Sequence, residues 1–257
     1  NLMTLSADGR QVLITEWAAA AGPLGVTYIR PMDGGPAVRL GEGSAQSFSP
    51  DGRWVAEGRP DQIRIVPTGA GAPRTLPKGG VSKYSAVYSF GGPFFMPDSR
   101  RVAFLGQDPS GATAVFLQDI DGGLATIVSK GPLDRIAPPS PDGGRLPARR
   151  ADGRAVLLGL EDGATEPLKG LAPEEEVLQW SADGRSLFVL EKPNIRVARI
   201  VRLDIATGRR QLFEEFAPED PTGIFWGVSA ATSPDGQAYA FNLGRLLSDL
   251  YLVEGLK

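Results

Sequence analysis

The chain contains no histidine and no cysteine, and these two absences remove most familiar side-chain chemistry. Without imidazole there is no Ser-His-Asp relay, no His-ligated zinc and no histidine general base. Without thiol there is no disulfide, thiolate metal site or cysteine nucleophile, and the lack says nothing about redox compartment. No apolar run approaches the roughly 18 residues that cross a bilayer, and no charged leader with a cleavage site opens the chain. The expectation is that this stretch itself makes no membrane contact. Lys and Arg number 27 against 30 Asp and Glu, a net charge of −3. The basic residues are scattered as pairs such as Arg100-Arg101, Arg149-Arg150 and Arg209-Arg210. A nucleic-acid footprint needs a basic stripe, so nucleic acid is excluded as a partner.

What is present is glycine and proline, 33 and 22 of 257 residues, set between short apolar runs, with 42% hydrophobic residues to build a core. Many turns and short strands follow. One phrase recurs: LSADGRQVLI (5–14), SFSPDGRWVAEG (47–58), MPDSRRVAFL (96–105), SPDGGRLPA (140–148), SADGRSLFVL (181–190) and SPDGQAYAFN (233–242). Its aspartates are Asp8, Asp51, Asp98, Asp142, Asp183 and Asp235, at spacings of 43, 47, 44, 41 and 52 residues. Units of that length are propeller blades. A second marker keeps phase with the first: an alternating strand running into Asp-Gly, Thr-Gly or Glu-Gly, as in VFLQDIDGG (115–123) and IVRLDIATG (200–208).

Each unit reads as four antiparallel strands. The first enters Ser-Pro-Asp-Gly, where Pro presets φ, Asp bonds its own backbone in an Asx turn and Gly takes positive φ. A second strand leaves the turn, the alternating third follows, and a hairpin leads to a short fourth such as AVRL, PRTL or RRQLF. One such sheet buries too little alone and must stack around an axis. The sequence therefore predicts an all-β, six-bladed propeller with blades at about 1–42, 43–79, 80–131, 132–171, 172–217 and 218–257. Trp54, Phe104, Phe188 and Tyr239 on second strands and Trp180 on a first strand are expected between blades. Pro147, inside the fourth unit's second strand, predicts a short, poorly paired strand there.

The phrase with its following apolar strand resembles the TolB-like, WD-like repeats of bacterial β-propellers. It lacks the Gly-His and Trp-Asp pairs of true WD repeats, and its adjacent Asp-Gly differs from the Asp box of sialidases. YIRPMDGGPAVRLGEGSAQSFSPDGRWV (28–55), VPTGAGAPRTLP (66–77), QWSADGRSLFV (179–189), RLDIATGRR (202–210) and LSDLYLVEGLK (247–257) resemble the C-terminal propeller of bacterial eukaryotic-like serine/threonine kinases. That resemblance implies a sensor or docking domain attached, often through a membrane helix, to a kinase. It places the domain on the extracytoplasmic or periplasmic face, with a cytoplasmic placement as the alternative. The chain has no H-R-D loop, no D-F-G and no V-A-I-K lysine, so it is not itself a kinase.

Carboxylate runs are the acid/base equipment left: Glu174 to Glu176, Glu214-Glu215, and Glu219 with Asp220. They would suit a glycosidase-like pair or an oxygen-ligated Ca²⁺, or simply mark solvated surface. No cofactor is expected. The lone G-x-G of TGAGAP (68–73) has no following helix and reads as a hairpin turn.

Binding is assigned to the links opposite the Ser-Pro-Asp-Gly turns, which converge on the axis. The longest are PKGGVSKYSAVYSFGG (77–92) and FAPEDPTGIFWG (216–227). The candidates are the aromatics Tyr84, Tyr88, Phe225 and Trp226 and the charges Lys83, Asp134, Arg135, Glu174, Glu175 and Asp220. Rigid rings beside mixed charge suit a peptide, glycan or protein ligand, unless the rings plug the channel. The function read here is a non-catalytic sensor or protein-interaction propeller. The rival is a carboxylate-dependent glycosidase-like enzyme or the gating propeller of a hydrolase. The last unit offers a third strand at 249–253 (DLYLV) and no fourth. The expectation is an incomplete last blade, finished by residues upstream of Asn1 in a longer chain or paired by β-augmentation between Asp249 and Val253.

Overall fold

The structure is a computed structural model and describes residues 2–17, 24–85, 91–194, 196–220 and 222–245. The first sheet contains β1 (Leu2–Leu5), β2 (Gln11–Glu16), β3 (Val26–Pro31) and β4 (Val38–Glu42), and the second β5 (Ser44–Phe48), β6 (Trp54–Gly58), β7 (Ile63–Pro67) and β8 (Arg74–Thr75). The third contains β9 (Lys83–Tyr84), β10 (Phe94–Phe95), β11 (Arg101–Gln107), β12 (Thr113–Asp119) and β13 (Thr126–Lys130). The fourth is β14 (Leu133–Ile136), β15 (Arg145–Arg150), β16 (Ala155–Gly159) and β17 (Thr165–Pro167). The fifth is β18 (Glu176–Trp180), β19 (Ser186–Asn194), β20 (Val197–Asp204) and β21 (Arg210–Phe216), and β22 (Ile224–Thr232) pairs with β23 (Tyr239–Arg245) in a sixth. All described pairings are antiparallel and follow chain order, apart from the extra strand β9.

The recurring phrase is the hairpin between the first and second strands, and its side chains explain the repetition. In all six units Asp Oδ1 accepts the backbone N–H two residues on, at 2.8–3.1 Å. In five units the serine hydroxyl donates to that Oδ1 at 2.5–2.6 Å and accepts the N–H five residues ahead at 2.9–3.0 Å. The serine contribution was not legible as a turn signal, because the hydroxyl reaches across the hairpin and not along it. The third unit has Met96 in the serine position and Ser99 in the glycine position. Ser99 has φ 56°, where the corresponding glycines Gly9, Gly52, Gly143, Gly184 and Gly236 have 67–72°.

Successive sheets bury their faces against one another. Leu13, Ile29, Ala45 and Val55 join the first two, and Ile63, Ile65, Tyr84, Phe104 and Phe116 the second and third. Leu105, Val115, Leu146 and Leu158 join the third and fourth, and Leu157, Trp180, Leu187 and Val201 the fourth and fifth. Phe188, Ile200 and Phe216 meet Ala230 of the sixth sheet, and Ala231 meets Leu5 and Val12 of the first. Each fully buried Leu, Ile or Phe contributes about 1.5–3 kcal/mol. Phe104, Phe188 and Trp180 lie in these layers. Trp54 packs on the layer edge with the Arg74 guanidinium over its ring at 4.6 Å, and Tyr239 stays exposed on the rim.

Three expectations are corrected. Five units form blades of at least four strands, not six, because the described part of the last unit supplies only β22 and β23. Its expected third strand at 249–253 lies outside the described residues. Second, the link at 77–92 is not wholly a link: β9 and β10 both pair with β11, through Tyr84↔Gly106 and Phe94↔Ala103, so the first strand of that blade is split in two. Third, β15 is six residues long and paired on both sides despite Pro147. The Pro147 carbonyl accepts from Ala137 N at 2.9 Å, one residue beyond the end of β14. The imide nitrogen faces the same way, toward a ladder already ending, so little pairing is lost.

Two predictions follow from this packing. Alanine at Gly9 or Gly52 meets the same left-handed strain, about 1–2 kcal/mol. A Cβ at Gly9 also lies 2.8 Å from Ala238 Cβ, across from the sixth sheet, whereas one at Gly52 meets nothing within 4 Å. Denaturant titration should therefore show Gly9→Ala losing clearly more stability than Gly52→Ala; equal losses would contradict the contact between first and sixth sheets. The second concerns acid. The serine hydroxyl foremost, then the backbone N–H, holds Asp8, Asp142, Asp183 and Asp235 below the ordinary carboxylate range. A depressed folded value stabilises above the unfolded pKa near about 4 and is lost as pH falls through the folded one. Melting temperature should hold between neutrality and mild acid and fall below about pH 4, with a shallower acid limb in Ser181→Ala.

Candidate functional site: the central channel

The first strand of every complete blade is an end strand of its sheet, with β9 and β10 sharing that place in the third. Strands β1, β5, β10, β14, β18 and β22 surround one cavity of ≈ 600 Å³, to which Leu5, Ser47, Phe94, Ile136, Leu178 and Ser229 each contribute from a different unit. The turns set one of its ends. The residue after the phrase serine, or after Met96 in the third unit, lines the cavity in all six units: Ala7, Pro50, Pro97, Pro141, Ala182 and Pro234. Sequence reasoning assigned these prolines to turn geometry alone; the hairpin clasp also aims them at the axis.

The other end lies where first strands begin, and there the fourth and fifth blades bring charge to the wall. Arg135 and Arg149 are cross-strand partners on β14 and β15, and both line the cavity with Glu175, Glu176 and Lys192. Arg149 is 6% exposed. Its Nη1 donates to Gly153 O at 3.0 Å, and its Nη2 to Ala172 O at 2.9 Å and Glu175 O at 3.2 Å. Burial, then the neighbouring Arg135, lowers its pKa, while Asp134, Glu174 and Glu175 oppose. Glu175 is buried; its carboxylate takes the Ala172 N–H at 2.8 Å and the Arg210 guanidinium at 2.5 and 3.1 Å. Arg210 also pairs with Glu191, and Lys192 lies 3.7 Å from Glu176.

Of the residues picked out by sequence, Arg135 and Glu175 come together on this wall. Tyr84 is 2% exposed and packs on Phe104 at 5.6 Å between the second and third blades. Lys83, Asp134 and Glu174 are exposed and do not line the cavity. Asp220 is exposed, accepts the Thr222 N–H at 2.9 Å and lies 3.3 Å from Arg245. Phe225 and Trp226 lie on β22, not in a loop, and their side chains are outside those described; Tyr88 is outside the described residues. Arg149 and Lys192 were missed. A single Arg-Arg pair among several carries no signal of which member turns inward.

Among the described residues, the carboxylate most withdrawn from water is also one that sequence reasoning missed. Glu57 on β6 is 0% exposed, and burial raises its pKa against the pull of Arg64 and Arg59. Arg64 Nη1 lies 3.4 Å away, and a Cβ on Gly43 would come within 2.5 Å of Oε2. Glu57 sits at the joint of the first two blades and does not line the channel. Among the described residues no three of His, Cys, Asp and Glu group to hold a metal ion.

No protein-family model matches the chain, and no curated protein matches it. Solved structures do. TolB from Acinetobacter baumannii superposes with a TM-score of 0.65 at 18% identity over 90% of this chain, which spans 57% of that protein. A putative TolB from Agrobacterium tumefaciens gives 0.65 at 18% identity, over 95% of this chain and 89% of that one. An oligogalacturonate lyase in complex with manganese gives 0.58 at 12% identity, over 92% and 68%. At such identities the likeness is one of fold: the chain folds as a β-propeller similar to that of TolB.

Proposed function

We propose that this propeller is a non-catalytic binding domain that engages its ligand in the central channel, and that it serves as the sensor or docking part of a larger signalling protein. The carrying observation is the cavity to which every repeat contributes, whose wall carboxylates are already committed to cations. Glu175 is held by Arg210 and Glu176 by Lys192. Glu175 lies just before β18 with its carboxylate on the Ala172 N–H and Arg210, so each of the two acids is engaged by a cation and not set against the other as the pair that glycoside chemistry needs. The acid with a raised pKa, Glu57, lies off the channel. The fold accommodates either role, since its neighbours include TolB and a lyase. The likeness of the repeats to the kinase-linked propellers supports the signalling part of the reading. An extracytoplasmic placement belongs to the same reading.

The test is a plug. Ser229 is half-buried and lines the cavity from β22. A peptide and glycan array probed with wild type and Ser229→Trp should show ligands retained by the first and weakened at least about tenfold in the second, with unchanged melting temperature. Ligands indifferent to the plug would move the site to the rim. Turnover of an oligogalacturonide by the purified chain would overturn the non-catalytic assignment.

A further inference from the structure

Glu57 is a buried acid that the channel does not use, and the groups around it are arranged as if it were uncharged. Neither of its carboxylate oxygens has a hydrogen-bond partner among the described residues. Two guanidinium groups of its own hairpin are close by, yet both are engaged elsewhere. Arg64 Nη1 lies 3.4 Å from Oε2 but donates to the backbone carbonyl of Glu42 at 3.2 Å, and Arg59 Nη2 donates to that same carbonyl. Arg59 Nε, also buried, has no partner among the described residues. An ionised carboxylate shut away from water draws such donors onto itself; one that accepts nothing between two guanidinium groups is placed as the neutral acid. Burial works in the same direction, raising the pKa against the pull of Arg64, Arg59 and the Thr27 hydroxyl.

The first blade brings no charge to this joint. Thr15 and Thr27 are cross-strand partners on β2 and β3, on the face that carries Leu13 and Ile29 to the second blade. The Thr27 hydroxyl donates to Gly43 O at 2.9 Å, and β5 sets Ala45 opposite Glu57. The acids along these elements, Glu16, Glu42 and Asp61, are exposed. The carbonyl that holds both guanidinium groups belongs to the link between blades, for Glu42 ends β4, Gly43 follows, and β5 begins at Ser44. The register of β5 on β6 shifts between Ala45 and Ser47, and such a bulge re-aims the side chains beside it. Gln46 and Ser47 there line the channel.

Resting on the reading of the channel as the binding site, we infer that Glu57 is a proton-operated latch on that channel. As the neutral acid it leaves Arg59 and Arg64 on Glu42 O, and the link into β5 is pinned. When its proton passes to solvent, the carboxylate takes the two guanidinium groups, the Glu42 carbonyl is released, and the link and the bulged start of β5 loosen. Ligand binding in the channel is therefore tighter in mild acid than above neutrality. Stability follows the same sign. For an acid whose pKa folding raises, the contribution is full below the unfolded value near about 4.3 and is lost as pH rises through the folded one. That small slope is superposed on the plateau set by the turn aspartates.

Amide hydrogen exchange of wild type and Glu57→Gln, corrected for the intrinsic rate at each pH, reads the latch without a ligand. Residues 42–47 should exchange at least about fivefold faster in wild type than in the variant at about pH 8, and alike at about pH 5. The melting temperature of wild type minus that of Glu57→Gln should fall as pH rises, since the turn aspartates, common to both, cancel. Carboxyl-carbon NMR, which needs no variant, should show a glutamate of the wild type titrating above the others. Ligands that the array retains and Ser229→Trp weakens should bind wild type at least about threefold more tightly at about pH 5 than at about pH 8. That ratio should be lost in Glu57→Gln, which leaves any titration of the ligand itself in place. Exchange of 42–47 that is indifferent to the variant, a melting difference that rises with pH, or no glutamate titrating above the others overturns the latch. If the latch responds while those ligands keep the same pH ratio on wild type and variant, its coupling to the channel is overturned. If Ser229→Trp weakens no ligand, the channel reading fails, and exchange and NMR still decide the latch.

Discussion

The serine hydroxyl of the repeated phrase is a donor and an acceptor at once, and the geometry of the channel follows from that dual bond. Donating to the aspartate and accepting from the N–H five residues ahead, it spans the mouth of the hairpin, while the aspartate closes the turn along the chain. Each such net hydrogen bond contributes about 1 kcal/mol. Repetition around the axis gives the local economy a global result, since the residue between serine and aspartate must then face inward in every unit. The third unit shows what can vary. Met96 gives up the hydroxyl and enters the core, and Asp98 accepts a second backbone N–H, from Arg101 at 3.1 Å, and its guanidinium at 2.7 Å. Ser99, at positive φ, instead accepts the Asp51 N–H of the neighbouring blade at 3.1 Å.

Ring closure asks less of the last unit than a four-stranded sheet would suggest. Contacts between neighbours are densest on the inner strands, where sheets converge on the axis. Ala230 and Ala231 of β22, consecutive and so facing opposite ways, meet the fifth and first sheets respectively. Small side chains there let both neighbours approach. Two strands thus fill the inner part of the sector, while Tyr239 and Phe241 farther along are left on the rim, half-exposed against Phe213 and Phe216.

The period, the turn and the inward apolar layers were legible because each rests on local chemistry: Pro and Gly dihedrals, the Asx bond, alternation by two. What failed to show needed knowledge of the neighbour. Pro147 reads as a strand breaker until the place where β14 ends is known. Tyr84 reads as a loop aromatic until β11 is seen to extend far enough to pair with it. Arg149 and Arg150 are equivalent in sequence; only register, which sets Arg149 opposite Arg135, separates the channel residue from its companion. Glu57 reads as a surface residue in a short strand. Gly43 is the glycine that makes room for it, and that pairing becomes visible only once the first two blades are joined.

The separation of Glu57 from the channel bears on how one fold serves unlike tasks. An acid with a raised pKa and a cavity are two of the parts from which a hydrolytic site is assembled. In this chain both are present, and they lie in different places: the acid is shut into a blade joint between guanidinium groups, and the cavity is walled by carboxylates that cations already hold. Without histidine there is no residue with an ordinary pKa near neutrality to stand in. The propeller supplies an axis on which six strands converge, and what happens there depends on which side chains the repeats send inward. Here they send proline, small and aliphatic residues, strand edges, and the buried Arg149 guanidinium bonded to backbone carbonyls.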